Sequence, residues 1–174
     1  MDAYEYLMER RSCRSYKEDI VPQDILEKIA QAGIYAPSGK GTQTVIVVTV
    51  TNQEVRDALS EKNRQIGGWD QGFDPFYGAP VVMAVLAPKD HYAKIQDCSL
   101  TMENLMLAAH SFGLGSCWIN RAKETFEEAT WQEWLVSLGI EGDYEGVGFC
   151  IVGYPEGPAL PAAPRKPNRL FWCK

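Results

Sequence analysis

Three guanidiniums and a hydroxyl fall within five residues near the start of the chain, in Arg10-Arg11-Ser12-Cys13-Arg14. An arginine fork donates two parallel hydrogen bonds to phosphate or carboxylate oxygens, and a serine hydroxyl adds another. The chemistry open to such a stretch is to cradle a phosphate; its plainer role is to favour the negative end of a preceding helix. A second basic pair, Arg165-Lys166, stands near the other end. Between them lie two small-residue segments, Ala36-Pro37-Ser38-Gly39 with Gln43 close behind, and Gly113-Leu114-Gly115-Ser116-Cys117-Trp118. Nothing local supports a nucleophile paired with a base. The two histidines, His91 and His110, lack metal-ligand spacing, and His110 reads as a satisfied core residue within an apolar helix.

The elements that must position these residues follow from periodicity. Asp2 is placed to cap a short helix reaching about Arg10, with Tyr6 and Leu7 inward. A second helix starts near Pro22, carries Ile25, Leu26, Ile29, Ala30 and Ile34 at helical spacing, and stops at Pro37. Val45 to Val50 is an unbroken β-branched run, the pattern of a strand buried on both faces. Asn52 caps a charged helix to about Arg64, and residues 66–80 form a long aromatic loop. Val81 to Ala87 is a second strand. The apolar helix from Asp97 to Phe112 is covered nearly all round, so it must be central or shared with another subunit. Ser116 to Ile119 and Val147 to Val152 supply further strands. Thr125 and Glu128 suggest a capping box for a helix bearing Trp131, Trp134, Leu135 and Leu138.

The tail differs in kind. Prolines at 155, 158, 161, 164 and 167 repeat every three residues, the period of polyproline II. Such an arm reaches roughly 40 Å at about 3.1 Å per residue. It ends in Leu170-Phe171-Trp172-Cys173, an apolar run that wants a surface beyond its own body, such as a second subunit whose sheet it extends. The chain divides into a body, 1–153, and this arm, 154–174.

Composition narrows the function classes. At 174 residues and 45% hydrophobic content the chain can bury the core of one domain. Its net charge of −6 argues against a general nucleic-acid binder, so the arginine cluster is a local positive site suited to one small anion. Five scattered cysteines without a CxxC pair exclude the usual zinc and iron–sulfur spacings and a disulfide framework. The acidic start lacks a secretory h-region and no run reaches transmembrane length, so a cytoplasmic setting without membrane partners is expected. Gly39-Lys40-Gly41-Thr42 fails as a Walker A loop, because Gly41 stands where Ser or Thr must follow the lysine. Gly113-x-Gly115 is half of a dinucleotide fingerprint and follows a helix where a strand is required.

Taken in order, Arg10-Arg11-Ser12-x-Arg14, Ala36-Pro37-Ser38-Gly39 with Gln43, Gly113-Leu114-Gly115-Ser116-Cys117-Trp118, Gly153-Tyr154-Pro155 and Pro164-Arg165-Lys166-Pro167 resemble the nitroreductase family of flavin enzymes, from about Tyr4 to Pro167. The resemblance implies an α+β fold with a mixed, mostly antiparallel central sheet flanked by helices. It also implies a homodimer that exchanges C-terminal arms, with FMN in two equivalent interface sites. Arg10, Arg11 and Ser12 would hold the phosphate and ribityl chain, with Arg165 and Lys166 closing on the phosphate. Arg14 would stand near the N1/O2 edge of the ring, where positive charge favours the reduced state. Pro37, Ser38, Gly39 and Gln43 would come from the partner. Trp118, Ile119, Asn120 and Arg121 would run along the ring's other side.

The chain departs from that family in two places. Gly41-Thr42-Gln43-Thr44-Val45 replaces the Asn before, and the Pro-aromatic pair after, the glutamine that the family often has. Gln71 is the candidate for the pyrimidine edge, whereas Asp74 would oppose charge there. The resemblance implies ping-pong hydride transfer from NAD(P)H to a small planar electron acceptor such as a nitroaromatic or quinone, against a wall of Trp69, Phe73, Phe76 and Tyr77. The alternatives are a relative reducing an enone, halogenated aromatic or azo compound, or a non-catalytic flavin-binding or storage protein.

Overall fold

The β-branched runs pair in one sheet. The computed structural model describes residues 3–174. Its strands β1 (Ile46–Val50), β2 (Val81–Pro88), β3 (Gly115–Ile119) and β4 (Tyr144–Gly153) lie in the order β1-β2-β4-β3, each neighbouring pair antiparallel. A single parallel bridge, Ser12 to Ser116, makes the sheet mixed. Among the described residues six α-helices surround it: α1 (Ala3–Glu9), α2 (Gln23–Ile34), α3 (Gln53–Gly67), α4 (Lys94–Ser111), α5 (Ala122–Phe126) and α6 (Ala129–Ser137).

The period of two in the strands divides the core between the two faces. Val82, Ala84, Leu86, Phe149 and Ile151 pack with Leu59 of α3, Phe126 of α5 and Leu135 of α6. Val81, Met83, Val85, Cys150 and Val152 pack with Leu26 and Ile29 of α2 and Cys98, Met102 and Leu105 of α4. The result is three layers of the α+β class expected, with β2 and β4 buried at the centre.

Several expectations are corrected. The first β-branched run is an edge strand: Thr49 is exposed and only Val48 and Val50 of β1 are buried, because β2 covers one side alone. Leu7 and Ile34, expected inward, are more than half exposed. The capping box does not form. Thr125 is buried inside α5 and its hydroxyl donates to Arg121 O at 2.8 Å, while Glu128 is drawn to Lys62. The helix bearing Trp131, Trp134 and Leu135 therefore starts later, as α6, and Thr125 belongs to a separate short helix, α5. On α4 the seam of Cys98, Met102, Leu105 and Ala109 is fully buried, but Leu100 and Phe112 are 45% and 40% exposed, so its outer side is uncovered within one chain. Residues 156–174 form no helix or strand and are exposed throughout. The cap expected at Asp2 lies outside the described residues.

The long loop is firmly anchored. Arg56 donates from Nε to Ala79 O at 3.0 Å and from its fork to Asp74. Asp74 also accepts from Ser60 Oγ and from the backbone amides of Phe76 and Gly78. Asp74 is thus a structural carboxylate, spent on the turn that it closes. Burial works against its charge, yet the hydrogen bonds from Arg56, Ser60 and the two amides outweigh it and hold its carboxyl below the usual range. A depressed folded pKa contributes stability above the unfolded value of about 4 and loses it as pH falls. Urea midpoints should therefore show a stability gap between wild type and Asp74→Asn that is constant from pH 7 to 5 and closes toward pH 2. A gap unchanged at pH 2 would contradict this anchoring.

Candidate functional site

The basic stretch is extended and docks on the open edge of β3. Cys13 N donates to Ser116 O at 2.9 Å and Lys17 N to Tyr154 O at 2.9 Å. A Cβ at Gly115 would stand 2.7 Å from Cys13 Cβ, so the glycine permits this approach. Cys13 packs toward the core, and the buried Tyr16 hydroxyl donates to Cys13 O at 2.8 Å. Alternation then turns Ser12 and Arg14 outward, and both are exposed.

The charges on this segment are poorly compensated. Arg10 Nε lies 3.7 Å from Glu103 Oε1 on α4, and its Nη1 is buried without a hydrogen-bond partner. Arg11 Nη1 donates to the neighbouring Arg10 O. Among the described residues, Ser12 Oγ and Arg14 have no side-chain hydrogen bond or ion pair. A buried guanidinium nitrogen left unpaired is costly unless a ligand completes it.

The second segment is built from α4. The buried carboxylate of Asp97 accepts from Gly39 N with both oxygens, at 3.0 and 3.1 Å, and meets His91 Nε2 at 2.8 Å. Gln43 N donates to Ser38 Oγ at 3.0 Å. Lys40 and Gln43 adopt left-handed φ of 54° and 51°, and a Cβ at Gly39 would stand 2.4 Å from Tyr92 Oη. Pro37, Ser38, Gln43 and Asp97 line one small cleft with Thr101. This clamp escaped the sequence reading, because 58 positions separate Gly39 from Asp97. An acid near a helix start was its only signal.

The third segment ends β3. Trp118 lies partly buried with its indole nitrogen unpaired, close against Gly148. Asn120 O accepts from the fully buried Asn63 at 2.7 Å. Arg121 takes a left-handed φ of 77°, and its guanidinium lies over the Trp69 ring, 4.5 Å from the centroid. Trp69 meets Phe73 at 5.3 Å and Phe73 meets Tyr77 at 6.0 Å. Phe76, expected in this wall, is instead fully buried against Phe149 at 5.4 Å. Gln71 is exposed at the loop tip.

Arg165 and Lys166 sit on the exposed arm and, among the described residues, contact neither the basic strand nor the Ser38 loop. The cysteines do not offer a nucleophile in the core: burial pushes the Cys98 thiol up to about 12 and the Cys150 thiol still higher. His110 is corrected from a satisfied core residue: its Nε2 is buried and unpaired, with Tyr6 edge-on at 5.6 Å. Among the described residues there is no metal-binding cluster, and no helix is long and apolar enough to cross a membrane.

A three-layer α+β domain displaying uncompensated cations on one strand has the make-up of a binder of a small anion. The family model described as Nitroreductase family matches residues 7–155, and the chain belongs to that family. A protein of Methanothermobacter thermautotrophicus, named provisionally as an NADH dehydrogenase/NAD(P)H nitroreductase, is 32% identical over 127 residues, covering 68% of this chain and 60% of its own length. The chain thus spans less than two thirds of that relative. An Archaeoglobus fulgidus protein with the same name is 30% identical and covers 84% of this chain and 82% of itself. The crystal structure of a Bacteroides fragilis nitroreductase with bound FMN superposes with a TM-score of 0.90 at 28% identity, covering all of both chains. A Desulfitobacterium hafniense nitroreductase, at 23% identity, TM-score 0.86 and coverage of 98% and 97%, shares the fold.

The Asp97 clamp carries its own test. Asn at this position leaves one acceptor oxygen for Gly39 N. Asp97→Asn should speed amide exchange in residues 36–45 about tenfold and cost about 1–3 kcal/mol of stability. Unchanged exchange would show that the carboxylate does not hold the loop.

Proposed function

We propose that this chain binds FMN and acts as an NAD(P)H-dependent oxidoreductase on a small planar acceptor such as a nitroaromatic or quinone. The observation that carries the reading is the strand Arg10–Arg14, whose buried Arg10 Nη1 lacks a partner and whose Ser12 and Arg14 face solvent uncompensated. That donor set fits a phosphate and a chain of hydroxyls. The flavin in the Bacteroides fragilis structure and the nicotinamide donors in the names of the archaeal relatives support it.

When bound, FMN would supply hydride-transfer chemistry between a nicotinamide donor and an acceptor. The chain's own residues hold, orient and shield. Arg10, Arg11 and Ser12 would take the phosphate and ribityl oxygens, with Arg165 and Lys166 closing on them. Arg14 would place a fixed positive charge beside the ring, which raises its reduction potential. Pro37, Ser38, Gly39 and Gln43, clamped by Asp97, would cover the ring from a second copy of the chain. Trp118, Ile119, Asn120 and Arg121 would line its other side, with Gln71 at the pyrimidine edge. No side chain is required as a proton donor, in keeping with two histidines in the whole sequence.

A homodimer supplies what one copy lacks. Tyr4, Leu7 and Met8 of α1, Ile34 and Tyr35 at the end of α2, and Ile95, Leu100 and Phe112 along α4 are exposed apolar groups on packed neighbours. Leu170, Phe171 and Trp172 on the arm are each more than four-fifths exposed. The outer edge of β1 has no strand partner among the described residues, so it can accept an extended segment.

Purified protein should be yellow, release FMN in acid, and oxidise NAD(P)H when a quinone is added. Colourless protein that takes up no FMN would overturn the reading. Arg14→Ala should lower the flavin's reduction potential and slow its reduction about tenfold or more. Loss of affinity alone, at unchanged potential, would remove Arg14 from the ring.

A further inference from the structure

Arg121 is set apart from the cations around it. Arg56 is paired with Asp57 and Asp74, Lys62 with Glu128, Arg64 with Glu61 and Lys123 with Glu127. Asp70, next to Trp69, acts on Arg64, and Asp74 is spent on Arg56 and the turn it closes. Among the described residues, Arg121 has no carboxylate partner.

The surroundings of Arg121 hold it in place. Its guanidinium lies over Trp69, 4.5 Å from the ring centroid, an attraction that holds it in place, and among the described residues none of its N–H groups is spent on a carboxylate. Its left-handed backbone, unfavourable for a residue with a Cβ, is secured by Thr125, whose N–H and hydroxyl both donate to Arg121 O at 3.1 and 2.8 Å. The preceding carbonyl is tied to α3 by Asn63. Trp69 is fixed in turn by Arg64, which donates to its carbonyl at 2.6 Å. Beside this pair the ring of Phe73 is 38% exposed and continues to Tyr77. Aromatic rings set at angles, Trp69 and Phe73 at 54° and Phe73 and Tyr77 at 90°, thus adjoin one guanidinium that has no carboxylate partner among the described residues.

We infer that Arg121 is a specificity residue that selects electron acceptors carrying a carboxylate on an aromatic ring, the ring lying against the Trp69–Phe73 surface and the carboxylate bonding to the guanidinium edge. The inference rests on the proposed oxidoreductase reading for the word acceptor, but the anion site itself stands on Arg121 and its neighbours. A fork-to-carboxylate contact has the geometry for two parallel hydrogen bonds. A neutral amide of the same shape cannot replace them.

The test uses 4-nitrobenzoate and 4-nitrobenzamide, which share shape and nitro group and differ in charge. Calorimetric titration of the purified protein should show 4-nitrobenzoate bound more tightly, and Arg121→Gln should reduce the ratio of the two affinities about tenfold or more. In NADH-driven turnover, the same variant should raise KM for 4-nitrobenzoate relative to 4-nitrobenzamide by a similar factor, with a smaller change in kcat. Arg121→Lys, which keeps the charge and loses the fork, should restore part of the preference. An arginine that only straps the loop would weaken both compounds alike; that result, or no measurable binding of 4-nitrobenzoate to wild type, overturns the inference. Charge-dependent binding without NADH-driven reduction would leave the anion site standing and remove the oxidoreductase reading. Turnover of both compounds without preference would do the reverse.

Discussion

The candidate site depends on one backbone contact, the attachment of the Arg10–Arg14 segment to the edge of β3. Cys13 N–H reaches Ser116 O at 2.9 Å because Gly115 has no side chain where Cys13 lies. This contact fixes the register, and in an extended segment the register decides which side chains face out. With Cys13 inward, Ser12 and Arg14 must turn outward. A slip of one residue would bury a guanidinium in the core and present a thiol to solvent. The small residues of Gly113-Leu114-Gly115-Ser116 therefore matter through what they let approach.

The rest of the fold serves to hold that edge and its neighbours still. β4 is buried between β2 and β3, so the position of β3 is set by the centre of the core. The helix α4 spans the layer behind and contributes two carboxylates to different tasks, Glu103 toward Arg10 and Asp97 to the Ser38 loop. The long loop is held by buried Arg56 and by Arg64, both from α3. Three segments far apart in sequence are thus anchored to elements that share one core. Apolar groups of α1, α2 and α4 remain exposed outside that core.

Much of the fold was legible in the sequence, and the exceptions have physical reasons. Unbroken apolar runs marked β2 and β4, and Asn52 did cap α3, accepting from Val55 N at 3.0 Å. Val45 to Val50 misled, since a β-branched run states strand propensity and does not reveal whether a second neighbour arrives. Thr125 and Glu128 had the spacing of a capping box, but burial of Thr125 and the pull of Lys62 on Glu128 gave each another partner. Of the site, the order of motifs pointed to Arg10, Ser12 and Arg14; Arg10 reaches Glu103 at 3.7 Å, while Ser12 and Arg14 have no side-chain partner among the described residues. The Asp97 clamp and the stacking of Arg121 on Trp69 were hidden, because each joins positions that only tertiary structure brings together. Phe76 looked like its aromatic neighbours in sequence and went to the core, held there beneath Arg56.

The central claim is that the cations of this strand exist to hold a phosphorylated ligand, and it can be tested by removing the phosphate from the ligand. Calorimetric titration of flavin-stripped protein with FMN and with riboflavin compares two ligands that differ by that group alone. The account predicts FMN bound at least about a hundredfold more tightly, with the difference largely lost in Arg10→Ala. Equal affinities for the two flavins would contradict it.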